Sequence, residues 1–288
     1  MYTEYNNTVY SNIRKWFQQN MPELFRVQAL LKTAFMLAIR FRLRMAFLTI
    51  SEIFTGLRPI PIHSKTIFGG IKKAVELGKF NQIHLIDVGA SDGWFVDAIS
   101  RLVSIATGTC YEPLPDSWPP PRLGKAANKC VFRHVCVGSI EGKIDILISN
   151  HSGLSSVLGF HENYKYQFGG VGNIGTIQKR NVEIVTLDND IKESISDPII
   201  LKIDTQGFEM EVLKGASKLL SSGKIKIIVL ELMIKLKYDS QTKMEELIPF
   251  LDSFEYEIYD IYKGYAEKSG QISEYDFIFC HKSLLTNK

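Results

Sequence analysis

From residue 80 onward, short apolar runs alternate with stretches of helical period, and this alternation constrains the fold more than any other feature. The runs 83–88, 108–111, 131–137, 143–149, 182–187, 198–204 and 225–232 read as strands. Between them, Phe95, Ile99, Leu102, Val103 and Ala106 recur at helical spacing, as do Phe208, Val212, Ala216 and Leu219. A further helix is expected over about residues 242–251. Runs 256–261 and 275–280 close the chain as an antiparallel pair. Strands that alternate with helices predict an open, doubly wound, mostly parallel α/β sheet covered on both faces. The composition agrees: 288 residues, 45% hydrophobic and 23% charged, exclude a disordered, collagen-like or low-complexity chain.

The first 79 residues read differently, as a helical, basic N-terminal extension to a domain at 80–288. Residues 23–55 contain no Gly or Pro, and Pro22 and Gly56 bracket them. Arg26, Lys32, Arg40 and Arg44 fall within an arc of about 120° on a helix. Such a helix could lie on an anionic membrane surface, pack on the core or join a second copy. Residues 1–65 hold nine Lys or Arg and three acids, so they carry +6 of a net charge of +3 and the remainder carries −3. That balance gives no case for nucleic acid as a partner. No span of ~18 residues is free of charge, and the first residues show no signal-peptide pattern. Cys110, Cys130, Cys136 and Cys280 form no C-x-x-C pair, which disfavours zinc and suits free thiols in a reducing compartment. A cytoplasmic protein, with peripheral membrane contact as an option, is expected.

Three strand-like runs end on acids at turns. In Ile86-Asp87-Val88-Gly89-Ala90-Ser91-Asp92-Gly93-Trp94 the first strand turns into the first helix. Ligands of open α/β sheets bind beyond the carboxyl ends of strands. The glycine spacing is G-x-x-x-G, not the G-x-G-x-x-G of a pyrophosphate site, and no Lys or Arg lies in the turn. An acidic turn suits a cationic ligand without phosphates. Glu112, in Tyr111-Glu112-Pro113, lies where an acid can accept both hydroxyls of a ribose. Together the two motifs describe a pocket for S-adenosylmethionine, an adenosine carrying a sulfonium. The third motif is Leu201-Lys202-Ile203-Asp204-Thr205-Gln206-Gly207-Phe208-Glu209. Alternation puts Lys202 and Asp204 on one face, where a lysine in a core strand needs a partner.

The chain resembles the FkbM family of S-adenosylmethionine-dependent methyltransferases. The matching stretches are IDVGASDGWF (86–95), YEPLP (111–115), SGLSSVL (152–158), VTLDND (185–190), LKIDTQGFEMEVLKGA (201–216) and VLEL (229–232). The resemblance implies a class I methyltransferase (Rossmann-like) fold, with seven strands and one antiparallel strand near the edge. It implies methylation, usually of a hydroxyl on a sugar, glycan or polyketide-like molecule. By motif position, Asp87, Gly89 and Gly93, with Ala90, Ser91 and Asp92 between them, would line the amino-acid and sulfonium end of the cofactor. Glu112 would hold the ribose, and Gly138 and Ser139 would lie against adenine.

An acceptor alcohol must lose its proton near the transition state, so a positioned base helps. Asp204 is the first candidate, with Lys202 and Glu231 as orienting groups and His151 as a further base. Asp204 and Glu231 could share a proton or hold a divalent ion, although two carboxylates and a loop histidine are thin support for metal. The glycine-rich segment 150–181, with Ser155 and Ser156, is expected to be a lid. Two other classes stay open at this point: a nicotinamide-dependent oxidoreductase on a similar sheet, and a cofactor-binding protein without turnover.

Overall fold

The computed structural model describes residues 65–114, 124–151, 153–162, 164, 174–191, 195, 198–266 and 270–286. The expected helix at 23–55 with its basic stripe, and the prolines at 115 and 119–121, lie outside the described residues. Helix α1 (Ile67–Leu77) comes first, then β1 (Gln82–Val88), α2 (Trp94–Ser100) and β2 (Ser104–Tyr111). A 3-10 turn (Gly124–Lys129) leads into β3 (Cys130–Arg133), β4 (Cys136–Val137), β5 (Gly142–Ser149) and β6 (Thr176–Val185). Next are α3 (Leu187–Asp190), β7 (Ile199–Ile203), α4 (Glu209–Lys214), α5 (Ser217–Ser221) and β8 (Ile225–Met233). The chain ends with α6 (Met244–Asp252), β9 (Tyr256–Lys263), β10 (Glu274–His281) and α7 (Lys282–Leu285).

Seven strands form one sheet in the order β3-β2-β1-β7-β8-β10-β9. The first five run parallel, and β10 is antiparallel to both neighbours. This is the expected class I methyltransferase topology. The central strands β1, β7 and β8 are buried along nearly their whole length, as continuous Val/Ile/Leu runs must be when both faces are covered. Each fully buried Ile, Leu or Val contributes about 1.5–3 kcal/mol by leaving water. One face packs Ile86, Leu201, Ile203, Ile228, Leu230 and Phe277 with Val212, Leu213 and Leu220 of α4 and α5 and Leu247 and Leu251 of α6. The other carries α1, which lies so close at Gly70 that a Cβ there would come within 2.7 Å of Ile278 of β10. Phe68 of α1 meets Trp94 and Phe95 of α2, at centroid distances of 5.0 and 6.0 Å. Thus α1, although it falls within residues 1–79, packs on the sheet that follows it.

The sequence reading of residues 131–181 needs correction. The run 131–137 is not one strand. Residues 130–133 extend the large sheet beside β2, whereas 136–137 belong to a second sheet of order β4-β6-β5. Nor is 150–181 loop throughout, since β6 starts at Thr176 and pairs antiparallel with β5. Much of β6 is exposed, so no period-2 apolar pattern announces it.

Candidate active site

The carboxyl ends of β1, β2 and β7 meet at a cavity of about 600 Å³, within the size range of small-ligand sites. Backbone geometry shapes its floor. Gly89 adopts φ +76, and a Cβ there would stand 1.9 Å from the Asp204 carbonyl oxygen. No other residue lets β1 and β7 approach so closely. The Gly89 and Ala90 amides both donate to the Tyr111 carbonyl at 3.0 Å, and the Asp204 amide donates to the Val88 carbonyl. The turn is therefore tied to the strands on both sides. Ser91, at φ 46, donates its amide to Glu112 Oε2 at 3.0 Å, and the Leu114 amide donates to Glu112 Oε1 at the same distance. These two donors aim the carboxylate. Burial raises its pKa, opposed by the same two amides. Asp92 instead caps α2, accepting from the Trp94 amide.

Behind this floor lies a charged cluster. Asp87 and Lys202 are register partners on adjacent parallel strands. Asp87 is fully buried, and Lys202 Nζ lies 3.4 Å from its Oδ1 and 3.5 Å from Asp204 Oδ2. The ammonium donates to the Gly89 carbonyl at 2.6 Å. Burial pushes the Asp87 carboxyl up while Lys202 pulls it down. Burial would lower Lys202, but Asp87, Asp204 and Glu231 outweigh it and hold the ammonium above its ordinary range.

Asp204, by contrast, lines the cavity and is 33% exposed. The expectation that it shares a proton with Glu231 meets an intervening group. Gln206 Nε2 donates to Asp204 Oδ1 at 3.0 Å and to Glu231 Oε2 at 2.9 Å. Gln206 takes φ 56 to do so, and its Oε1 accepts from Tyr238 Oη at 3.3 Å. The negative charge of Asp204 first, then burial, pushes Glu231 up to about 10, so at neutral pH it keeps its proton. Glu209, 2% exposed, braces the 205–207 turn: its Oε1 accepts from the Thr205 and Gly207 amides and the Thr205 hydroxyl.

Of the residues expected from sequence, Gly89, Ser91, Glu112, Asp204 and His151 line the cavity. Asp87, Lys202 and Glu231 stand behind it. Ala90, Asp92 and Gly93 shape the turn without lining it. Gly138 and Ser139 do not line it either, because they follow β4 of the small sheet and not the third strand of the large one. Gly138 packs near Ile184 and Phe208, and the Ser139 hydroxyl bonds Glu211. In their place, Val135, Cys136 and Val137 form the wall next to Glu112, and Phe208 closes it. Thr205 and Gln206 extend the edge formed by Asp204. Ser149, Ser155 and Ser156 join His151, and the small sheet adds Ile146, Ile148, Gln178 and Arg180. Thr205, Gln206 and Phe208 lay within the quoted third motif, and Ser155 and Ser156 within the expected lid. The remaining additions follow from long-range pairing that no local pattern reveals.

The donor set fits the expected cofactor. The floor is acidic and glycine-rich, and the described residues of the β1 turn include no Lys or Arg. That chemistry favours a sulfonium over a phosphate. Among the described residues, no group of three or more His, Cys, Asp or Glu is arranged to hold a metal ion. Nor is any helix among them long and apolar enough to cross a membrane. All four cysteines are free, three of them buried.

Comparison with known proteins adds a family. Residues 87–258 match the model of the methyltransferase FkbM domain. No curated protein matches the chain. Among solved structures it is similar to a TehB-like SAM-dependent methyltransferase from Corynebacterium glutamicum, at 9% identity and TM-score 0.36, covering 74% of this chain and 87% of that one. It is also similar to precorrin-6y C5,15-methyltransferase from Geobacter metallireducens, at 12% and 0.35, covering 74% and 86%. A third is M. capricolum TrmK with S-adenosyl-homocysteine, at 12% and 0.33, covering 76% and 70%. Likeness at this level is no guide to substrate.

Proposed function

The chain belongs to the FkbM family of S-adenosylmethionine-dependent methyltransferases, and from that premise we propose that it methylates a hydroxyl oxygen on a sugar, glycan or polyketide-like molecule. The observation that carries the proposal is the meeting of Gly89, Ser91, Glu112 and Asp204, from three neighbouring strands, in one cavity. When bound, S-adenosylmethionine supplies an electrophilic methyl group on a cationic sulfur. The chain's own task is then alignment and proton removal. In this reading Glu112 grips the ribose, and the β1 turn, backed by Asp87, accommodates the amino-acid and sulfonium end.

Asp204 is the base. It is the cavity-lining carboxylate just beyond the end of β7, and Gln206 and Lys202 hold its two oxygens in place. Glu231 is a positioning residue: protonated, it anchors the far side of the Gln206 amide without adding a second negative charge. His151 and the serines at 149, 155 and 156 lie on the acceptor side.

The test is a panel of hydroxylated acceptors, with a tRNA included, incubated with S-adenosylmethionine and read by mass spectrometry for one added methyl. Transfer to a saccharide or polyketide hydroxyl supports the proposal. Transfer to tRNA or to an amine overturns it, and cofactor binding without turnover leaves a binding protein. Asp204→Asn should lower kcat by 10²–10⁴-fold and leave the affinity for S-adenosylhomocysteine within about twofold.

A further inference from the structure

Two cysteines meet on the large sheet beside the cofactor half of the site, and the proposed reaction uses neither. Gly108 and Cys110 share one face of β2, and Glu112 follows two residues on. Cys130 of β3 is the register partner of Gly108. Its Sγ lies only 2.7 Å from where a Cβ at 108 would stand. The glycine therefore leaves room for the Cys130 sulfur to lie over β2, toward Cys110. The Cys110 thiol donates a hydrogen bond to Cys130. That bond holds Cys110 above the ordinary thiol range and Cys130 below it, in the second case against burial. Cys110 is buried, whereas Cys130 is partly open to solvent. Cys136 and Cys280 are both buried, and burial pushes each thiol up to about 12.

We propose that Cys110 and Cys130 close to a reversible disulfide under peroxide, and that closure displaces Glu112 and weakens cofactor binding. The covalent step is independent of the methyltransferase reading; the loss of affinity rests on it. The Cys130 thiolate attacks one peroxide oxygen, the O–O bond breaks, and the departing hydroxide takes up a proton to become water. Cys130 is thereby oxidised to a sulfenic acid. The Cys110 sulfur then attacks the Cys130 sulfur. The S–S bond forms, the S–O bond breaks, and the hydroxyl leaves with the Cys110 proton as a second water. Two thiols and one hydrogen peroxide thus give one disulfide and two waters. The pair is diagonal across two strands, because Cys110 itself faces Phe132, so the bond requires one strand to shift. The element able to give is β3, a four-residue edge strand with Val131 62% exposed. Glu112 is tied to the end of β3 through its backbone. Its amide donates to the Arg133 carbonyl at 3.0 Å, and His134 Nδ1 meets its carbonyl oxygen at 3.3 Å. A shift of β3 therefore carries to the carboxylate that grips the ribose.

The experiment treats the full, reduced chain with a molar excess of hydrogen peroxide, blocks the remaining thiols with N-ethylmaleimide and maps the unreduced peptides by mass spectrometry. A peptide joining 110 to 130 should appear, about 2 Da lighter than its two thiol halves together, and dithiothreitol should reverse it. Cys110→Ser should instead leave Cys130 as a sulfenic acid that dimedone traps. The oxidised wild-type chain should bind S-adenosylhomocysteine about threefold or more weakly, the worth of one hydrogen bond. Cys130→Ser should bind it equally with and without peroxide. No link, a link formed as readily through Cys136 or Cys280, or an unchanged affinity in the linked chain overturns the proposal. An equal loss of affinity in peroxide-treated Cys130→Ser also overturns it, because another oxidised residue would then be responsible. Failure of the untreated wild-type chain to bind S-adenosylhomocysteine overturns the methyltransferase reading itself, and the peptide map still decides the disulfide.

Discussion

The two sheets that wall the cavity treat charge in opposite ways. In the seven-stranded sheet, Asp87, Lys202 and Glu231 are withdrawn from solvent and held by one another, by the Gly89 carbonyl and by Gln206. In the three-stranded sheet, Asp145, Lys179 and Asn181 pair on an exposed face. Burial makes the first set costly to disturb and strongly directional; solvent makes the second nearly free to change. The difference suits a site whose cofactor half must be preorganised and whose acceptor half can vary.

Breaking the buried set should have the largest effect. Lys202→Met leaves Asp87 without its cation, and urea unfolding should report a loss of about 3 kcal/mol at pH 8. The Asp87 carboxyl is already pushed up by burial, so lowering the pH protonates it and removes the uncompensated charge. The loss should therefore be smaller at pH 5; an equal loss at both would mean that packing, not charge, is what Lys202 supplies. Gly89→Ala comes next, at about 2–3 kcal/mol for a left-handed residue and a steric clash together. Calorimetry should show no S-adenosylhomocysteine binding, because the ends of β1 and β7 must separate.

A third substitution sharpens the contrast by reversing its sign. Asp276 is the register partner of Glu231 on β10, and burial, then Asp204 and Glu274, raise its pKa to about 6. Between about pH 4 and pH 6 the unfolded chain has released a proton that the folded chain still holds. Stability due to this group thus falls as pH rises through that window and stays reduced above it. Asp276→Asn should raise stability at pH 7 by up to about 3 kcal/mol and change little at pH 4. A variant less stable than wild type at pH 7 would show that the carboxylate has a partner it needs. The smallest effect belongs to the small sheet: Lys179→Ala should leave the melting temperature unchanged within error.

What could be read without coordinates follows the same division. The strands with acids at their ends, the antiparallel closing pair and the pairing need of Lys202 were all legible, because central strands buried on both faces write their apolar runs locally. The small sheet was not. Thr176, Gln178 and Lys179 are exposed, so nothing in their order distinguishes a strand from the glycine-rich loop before it. The break between Arg133 and Cys136 was equally hidden, since both sides of it are apolar enough to pass as one strand. That hidden break is also why Gly138 and Ser139 were expected in the cavity and lie outside it.

The order of residues alone determined the large sheet and the acids at its edge, because burial on both faces demands a pattern that short windows carry. Only the tertiary structure decided who shares the cavity with them: Gln206 between two carboxylates, Cys136 and Phe208 on the wall, Arg180 on the small sheet. Those neighbours come together through pairings between segments distant in the chain, and such pairings leave no period behind.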